Sequence, residues 1–148
     1  MEARGRLADA GVLLARLGTG VILLAYGWQK LAEWGLDATA QAMGGGGVPL
    51  PQVSAHVAAF GELAAGAALI AGVLVRAAAV GAALVMVGAI VFVNGASGIY
   101  ADAGGYAFPL AVGVACLLLA VTGSGRYGLD PYVLPLVLRR RETHRAAA

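Results

Sequence analysis

Two ionisable side chains, Arg16 and Glu62, stand inside stretches otherwise apolar enough to lie in lipid. A charge in hydrocarbon costs a few kcal/mol or more (about 3 on insertion scales), so such groups face a partner or a cavity inside a helix bundle. A carboxylate held there by a guanidinium could exchange protons or accept a ligand, and those are the roles expected of Glu62 and Arg16. The same pair could equally serve as a buried ion pair that enforces helix register. A second polar set gathers toward one end of the apolar segments: Tyr26, Gln29, Lys30, His56, Asn94, Tyr100 and Tyr106. Tyr26 and Lys30 are four residues apart and share a helix face. Hydrogen-bond donors above an apolar shaft would suit a quinone headgroup, with its isoprenoid tail in the shaft. Tyr, Trp and Lys also collect at membrane surfaces without any ligand.

The elements that must position these groups are read from hydropathy. Of the 148 residues 60% are hydrophobic and 12% charged. A soluble domain carries about 25% charged residues, so the chain reads as an integral membrane protein. Residues 77–101 and 103–125 contain no charge at all, and about 20 apolar residues span a bilayer core. Four spans are expected, over about 7–33, 51–74, 76–97 and 105–123, in one all-α membrane domain covering 1–148. The basic start of the first span is too long for a signal peptide and has no small-residue cleavage site before a polar region.

Gly20 and Gly27 fall on the Arg16 face of the first span, where small residues allow close helix approach. Ala55, Ala58, Ala59, Ala65 and Gly66 share the Glu62 face of the second. Gly81, Gly88 and Gly95 recur every seven residues in the third, and Pro109, Gly113, Cys116 and Ala120 share a face of the fourth. Both glycine-rich faces are expected to pack inward. Between the first two spans, 37–43 reads as an amphipathic stub, followed by four glycines and Val48-Pro49-Leu50-Pro51. This is expected to be an interfacial or re-entrant loop; it lacks the GK[ST] of a phosphate loop.

Depths follow from helical rise. Counted from the inner ends of their spans, Arg16 and Glu62 lie about 14 and 18 Å deep, within reach of one another. They are therefore expected to form a salt bridge.

Arg4, Arg6, Arg76, Arg126 and the tail residues Arg139, Arg140, Arg141 and Arg145 fall on one side of the four spans. That bias places both termini in the cytoplasm. The basic tail, 126–148, reads as a contact with anionic membrane lipid rather than with nucleic acid. Cys116 is the single cysteine, so an internal disulfide and a CxxC centre are excluded. His56 and His144 are the two histidines. One Cys and two scattered His do not supply a transition-metal site, and no metal or haem is expected. Taken singly, His56 reads as a polar residue at a helix end, and Cys116 as packing.

Taken in order, several blocks resemble the DoxX family of small bacterial membrane proteins. They are Arg16-Leu17-Gly18, Tyr26-Gly27-Trp28-Gln29-Lys30-Leu31, Val48-Pro49-Leu50-Pro51, Glu62-Leu63 and Gly72-Val73-Leu74-Val75-Arg76. Further along come Gly104-Gly105-Tyr106-Ala107-Phe108-Pro109, Gly123-Ser124-Gly125-Arg126 and Leu129-Asp130. The resemblance implies a four-helix bundle in the bacterial inner membrane, often described as a quinone-linked oxidoreductase subunit or a membrane partner in redox complexes. Arg16, Lys30, Glu62, Arg76 and Tyr106 match family polar positions. Tyr26 and Asn94 stand where many relatives have His, and Ala107 where many have Glu, which removes proton carriers. The expected function is a quinone-interacting subunit that receives electrons from a redox partner protein. Glu62 and Arg16 would be its catalytic groups, with Tyr26, Gln29, Lys30, His56, Asn94 and Tyr106 around the ligand. A non-enzymatic scaffold, assembly factor or lipid-binding protein is the alternative, and the small-residue faces also admit a homo-oligomer.

Overall fold

A computed structural model describes residues 2–130, with backbone alone for 2–4. Arg4, the tail arginines 139, 140, 141 and 145, and His144 therefore lie outside the described side chains. The described residues form five α-helices: α1 (Glu2–Trp28), α2 (Leu36–Gly45), α3 (Pro51–Ala71), α4 (Val75–Gly88) and α5 (Ala107–Thr122). Each of α1 and α4 runs on into a π-helical turn, over Gln29–Glu33 and Ala89–Asn94.

The boundaries have local causes. Gly35, at φ 83°, breaks the chain after the first π turn in a conformation that favours glycine. Thr39 Oγ1 then donates to the Gly35 carbonyl at 2.9 Å, fastening the first turn of α2. Pro51 opens α3, where its missing N–H costs nothing. Gly72, at φ 75°, ends α3, and its N–H closes on the Ala68 carbonyl at 2.8 Å.

Three apolar helical stretches are long enough to cross a membrane: Gly5–Glu33, Pro51–Ala71 and Val75–Ser97. The fourth, α5, has 16 residues, about 24 Å at the rise of an α-helix and short of a bilayer core of about 30 Å. The expected loop after the first span is largely helical. α2 continues through Gly44 and Gly45, packs on α3 and buries Thr39 and Ala40. The turn is closed by the Val48 N–H on the Met43 carbonyl at 3.0 Å, so the glycines end a helix instead of forming a free loop.

α1 pairs antiparallel with α3, and α4 packs on α5. The first pairing is backbone to backbone. A methyl group at Gly66 would lie 2.7 Å from the Gly20 carbonyl, and one at Gly27 would lie 2.9 Å from the Ala59 carbonyl. The expected inward faces of α1 and α3 are thus the packed ones. In α4 the packed residues are instead Val75, Ala79, Ala82, Ala83 and Met86. Gly81 and Gly88 have open space beside them, so that glycine stripe does not pack inward. Seven-residue recurrence marks a face without saying which way it turns, and the adjacent alanines fit α5 equally well.

The interior is small or aliphatic (Leu23, Leu69, Ala79, Val112, Cys116, Leu119), whereas large apolar residues such as Leu14, Leu84, Leu117 and Val121 stand on the surface. That distribution suits lipid, where apolar burial gives little drive and close backbone packing and polar contacts do the joining.

Candidate functional site at the Lys30–Glu62 pair

Glu62 lies in the middle of α3, flanked by buried Ala58, Ala59, Ala65 and Gly66. Small neighbours bring the α1 backbone close. Gly27 meets Ala59 and Leu63 where any Cβ would collide, and Lys30 follows three residues on, inside the π turn. Lys30 Nζ donates to Glu62 Oε2 at 2.7 Å, with the carboxylate side chain 3% exposed and the lysine 13%. A charged hydrogen bond of that length is among the strong ones. Lys30 Nζ also reaches the Tyr26 carbonyl at 3.4 Å and lies 5.4 Å from the centre of the Tyr26 ring.

The Tyr26 ring in turn stacks on Phe108 of α5, with centroids 4.8 Å apart and planes inclined by 26°. Ion pair and aromatic pair form one continuous site joining α1, α3 and α5. Phe108 had no functional reading from sequence beyond its place in the aromatic-proline block. Its contact with Tyr26 crosses the whole chain, and no local pattern reports it.

Arg16 is not the partner of Glu62. Its Nε donates to the Leu69 carbonyl at 2.9 Å, Nη2 to the Ile70 carbonyl at 3.2 Å and Nη1 to the Ser124 carbonyl at 2.7 Å. The residue is 1% exposed. Similar depths counted from the helix ends do not bring the two groups together, because the inner ends of α1 and α3 are not level. α1 instead extends past the end of α3, so Arg16 lies opposite Leu69 and Ile70. Glu62 is seven residues earlier than Leu69 in α3, about 10 Å along the axis. Arg16 caps the last carbonyls of α3, where the helix leaves acceptors unsatisfied and its dipole is negative, and ties them to the chain after α5.

The other expected residues separate. His56 is exposed, bonds the Gln52 carbonyl through Nδ1 at 2.7 Å and tilts against Phe60. Asn94 Nδ2 donates to the Gly104 carbonyl at 2.7 Å, closing the loop that follows α4. Tyr106 precedes α5, its N–H on the Gly98 carbonyl. Gln29 accepts the Trp34 N–H on its carbonyl within the π turn. Among the described residues, no side-chain hydrogen bond joins Gln29, His56, Asn94 or Tyr106 to the ion pair.

A family model described as DoxX matches residues 11–95, more than half of the chain. The chain belongs to the DoxX family. No curated protein and no solved structure matches it. The matched part of this DoxX chain includes Arg16, Tyr26, Lys30, Glu62 and Asn94, while Phe108 and the rest of α5 lie beyond it. The chain is a multi-pass membrane protein of that family, with its ion pair inside the matched segment and its aromatic partner outside it.

Proposed function

We propose that this DoxX protein is a quinone-interacting subunit of a membrane electron-transfer system, with the ligand held beside the Lys30–Glu62 pair. The observation that carries the reading is the junction of that buried pair with the Tyr26–Phe108 stack. An ammonium has three donors; Glu62 and the Tyr26 carbonyl engage two, which leaves one for a ligand carbonyl oxygen. The aromatic rings offer a flat apolar wall against a planar headgroup. These features fit a quinone: Lys30 would donate to it, its ring would lie against the outer side of the Tyr26–Phe108 stack, and Glu62 would hold or release a proton at its carboxylate. Bound quinone would supply two-electron redox chemistry, with electrons delivered by a partner protein. Arg16, engaged with three carbonyls, positions helices in this reading and has no catalytic role.

The same reading has the three long apolar helices and the shorter α5 crossing the bacterial inner membrane, both termini on the cytoplasmic side. Trp28 and Trp34 flank Lys30, so a short-chain benzoquinone titrated into the reconstituted protein should quench tryptophan fluorescence saturably. Lys30→Met and Phe108→Ala should each weaken that binding about tenfold, the equivalent of one charged or aromatic contact. Linear quenching, identical in wild type and variants, would overturn the proposal.

One observation favours a second reading. Gly81 and Gly88 face open space on α4 among exposed Val80, Leu84 and Val87, a surface on which another protein's helix could approach closely. A membrane scaffold or assembly factor would use it. Cysteine crosslinking from position 84 to a co-purified membrane protein, lost in Gly81→Leu, would support that role.

A further inference from the structure

At the end of the bundle opposite the ion pair, the chain after α5 folds across the other helices. Ser124 is fastened to Arg16, the Arg126 N–H to Asp9 Oδ1 at 3.3 Å, and Leu129 and Asp130 both donate to the Gly72 carbonyl, at 2.9 and 3.0 Å. Two carboxylates at this end, among the described residues, are engaged by backbone amides. Asp9 takes that of Arg126, while Asp130 takes those of Leu74 and Val75 at the start of α4. The guanidiniums of Arg6, Arg76 and Arg126 are exposed, and among the described residues no carboxylate forms a salt bridge with any of them. The Arg76 side chain runs over Gly123, a residue with no side chain: its Nε lies 3.2 Å from where a Cβ there would stand. Within three residues of Arg76 and Arg126 in sequence stand exposed apolar groups, Leu74 at 51%, Tyr127 at 54% and Leu129 at 48%.

We infer that this end of the molecule is a docking site for an anionic phospholipid, its headgroup phosphate on Arg76 and Arg126 and its acyl chains along Leu74 and Leu129. Three cations without a salt bridge among the described residues call for an anion, and the apolar residues next to them call for one that carries a hydrocarbon tail. A lipid of the surrounding bilayer meets both demands. The site is built from described residues and does not use the arginines at 139, 140, 141 and 145. It is also independent of the quinone reading, because it sits at the other end of α1 and α3.

The test is native mass spectrometry of the full chain released from detergent with phosphatidylglycerol or phosphatidylcholine added. The wild type should retain phosphatidylglycerol preferentially. Arg126→Gln should reduce that preference about five-fold, and Arg76→Gln with Arg126→Gln should reduce it further, in line with the contribution of an arginine at an anionic surface. Helix content by circular dichroism serves as the folding control, and Arg126→Gln keeps the bond to Asp9, which Arg126 makes through its backbone. Neutralising 139, 140, 141 and 145 should leave most of the preference. Equal retention of both lipids by wild type, full preference in the double variant, or displacement of the lipid by inorganic phosphate would each overturn the proposal.

Discussion

Lys30 and Glu62 are joined by a 2.7 Å hydrogen bond across the α1–α3 seam, the carboxylate almost wholly enclosed. Removing one partner leaves an isolated charge where water is scarce, which costs about 3–5 kcal/mol in buried pairs. Lys30→Met should therefore destabilise the protein by about 3 kcal/mol, and Glu62→Gln by less, since a neutral amide still accepts a hydrogen bond. Lys30→Met combined with Glu62→Met should recover most of the loss. Unfolding in detergent, followed by circular dichroism in a double-mutant cycle, measures this coupling. Additive losses would show that the two groups act separately.

Arg16 presents a planar fork to three carbonyls belonging to two separated segments. A lysine carries the charge but cannot reproduce that geometry. Arg16→Lys is expected to lower stability by about 2 kcal/mol and Arg16→Met by about 4 kcal/mol, on a scale of roughly 1.5–3 kcal/mol for each charged hydrogen bond. Gly72→Ala should resemble Arg16→Met, because φ 75° disfavours alanine and its Cβ would meet the guanidinium. Thermal unfolding curves of the three variants test the ranking.

The packing around two glycines, Gly66 in the α1–α3 contact and Gly81 on the open face of α4, predicts different outcomes. At Gly66, a methyl group meets the Gly20 carbonyl and the Leu24 amide at 2.7 and 2.9 Å, backbone atoms that cannot rotate away. Gly66→Ala should cost about 1–3 kcal/mol, as overpacking does. At Gly81 nothing lies within 4 Å, so Gly81→Ala should change stability by less than about 0.5 kcal/mol. The same unfolding assay separates them.

Much of this arrangement was legible before the structure. Arg16 and Glu62 stood out because lipid makes charge expensive, and both proved buried. The small-residue faces of α1 and α3 were readable because close helix approach admits few side chains. Partner choice was not. It depends on how far two helices slide past one another, and that offset is set by the α3 terminus at Gly72 and by the chain folding over it near Ser124. Lys30 was placed in a surface belt because it closes the first span, yet the Gly27 approach brings it onto α3. The stripe through Gly81 and Gly88 misled for a related reason. Periodicity identifies a face, while the direction of that face depends on what the neighbouring helix offers.

Asp130 supplies the last prediction, since its role is visible only in three dimensions. α4 begins after Leu74, a non-glycine residue at φ 51°, and its first amides would otherwise have no acceptor. Asp130 receives the Leu74 N–H on one oxygen and the Val75 N–H on the other, placing a negative charge at the positive end of the helix. Fifty-six residues of sequence separate cap from helix, so no capping motif could announce it. Asp130→Ala should cost about 1–2 kcal/mol, the usual worth of an N-cap, and Asp130→Asn somewhat less, because the amide keeps one acceptor oxygen but loses the charge and the second acceptor. Hydrogen exchange should localise the effect: the amides of Leu74 and Val75 should lose protection, while those around Glu62 keep theirs. Loss of protection at both places would mean that Asp130 holds the whole bundle together, and that α4 is not separately capped.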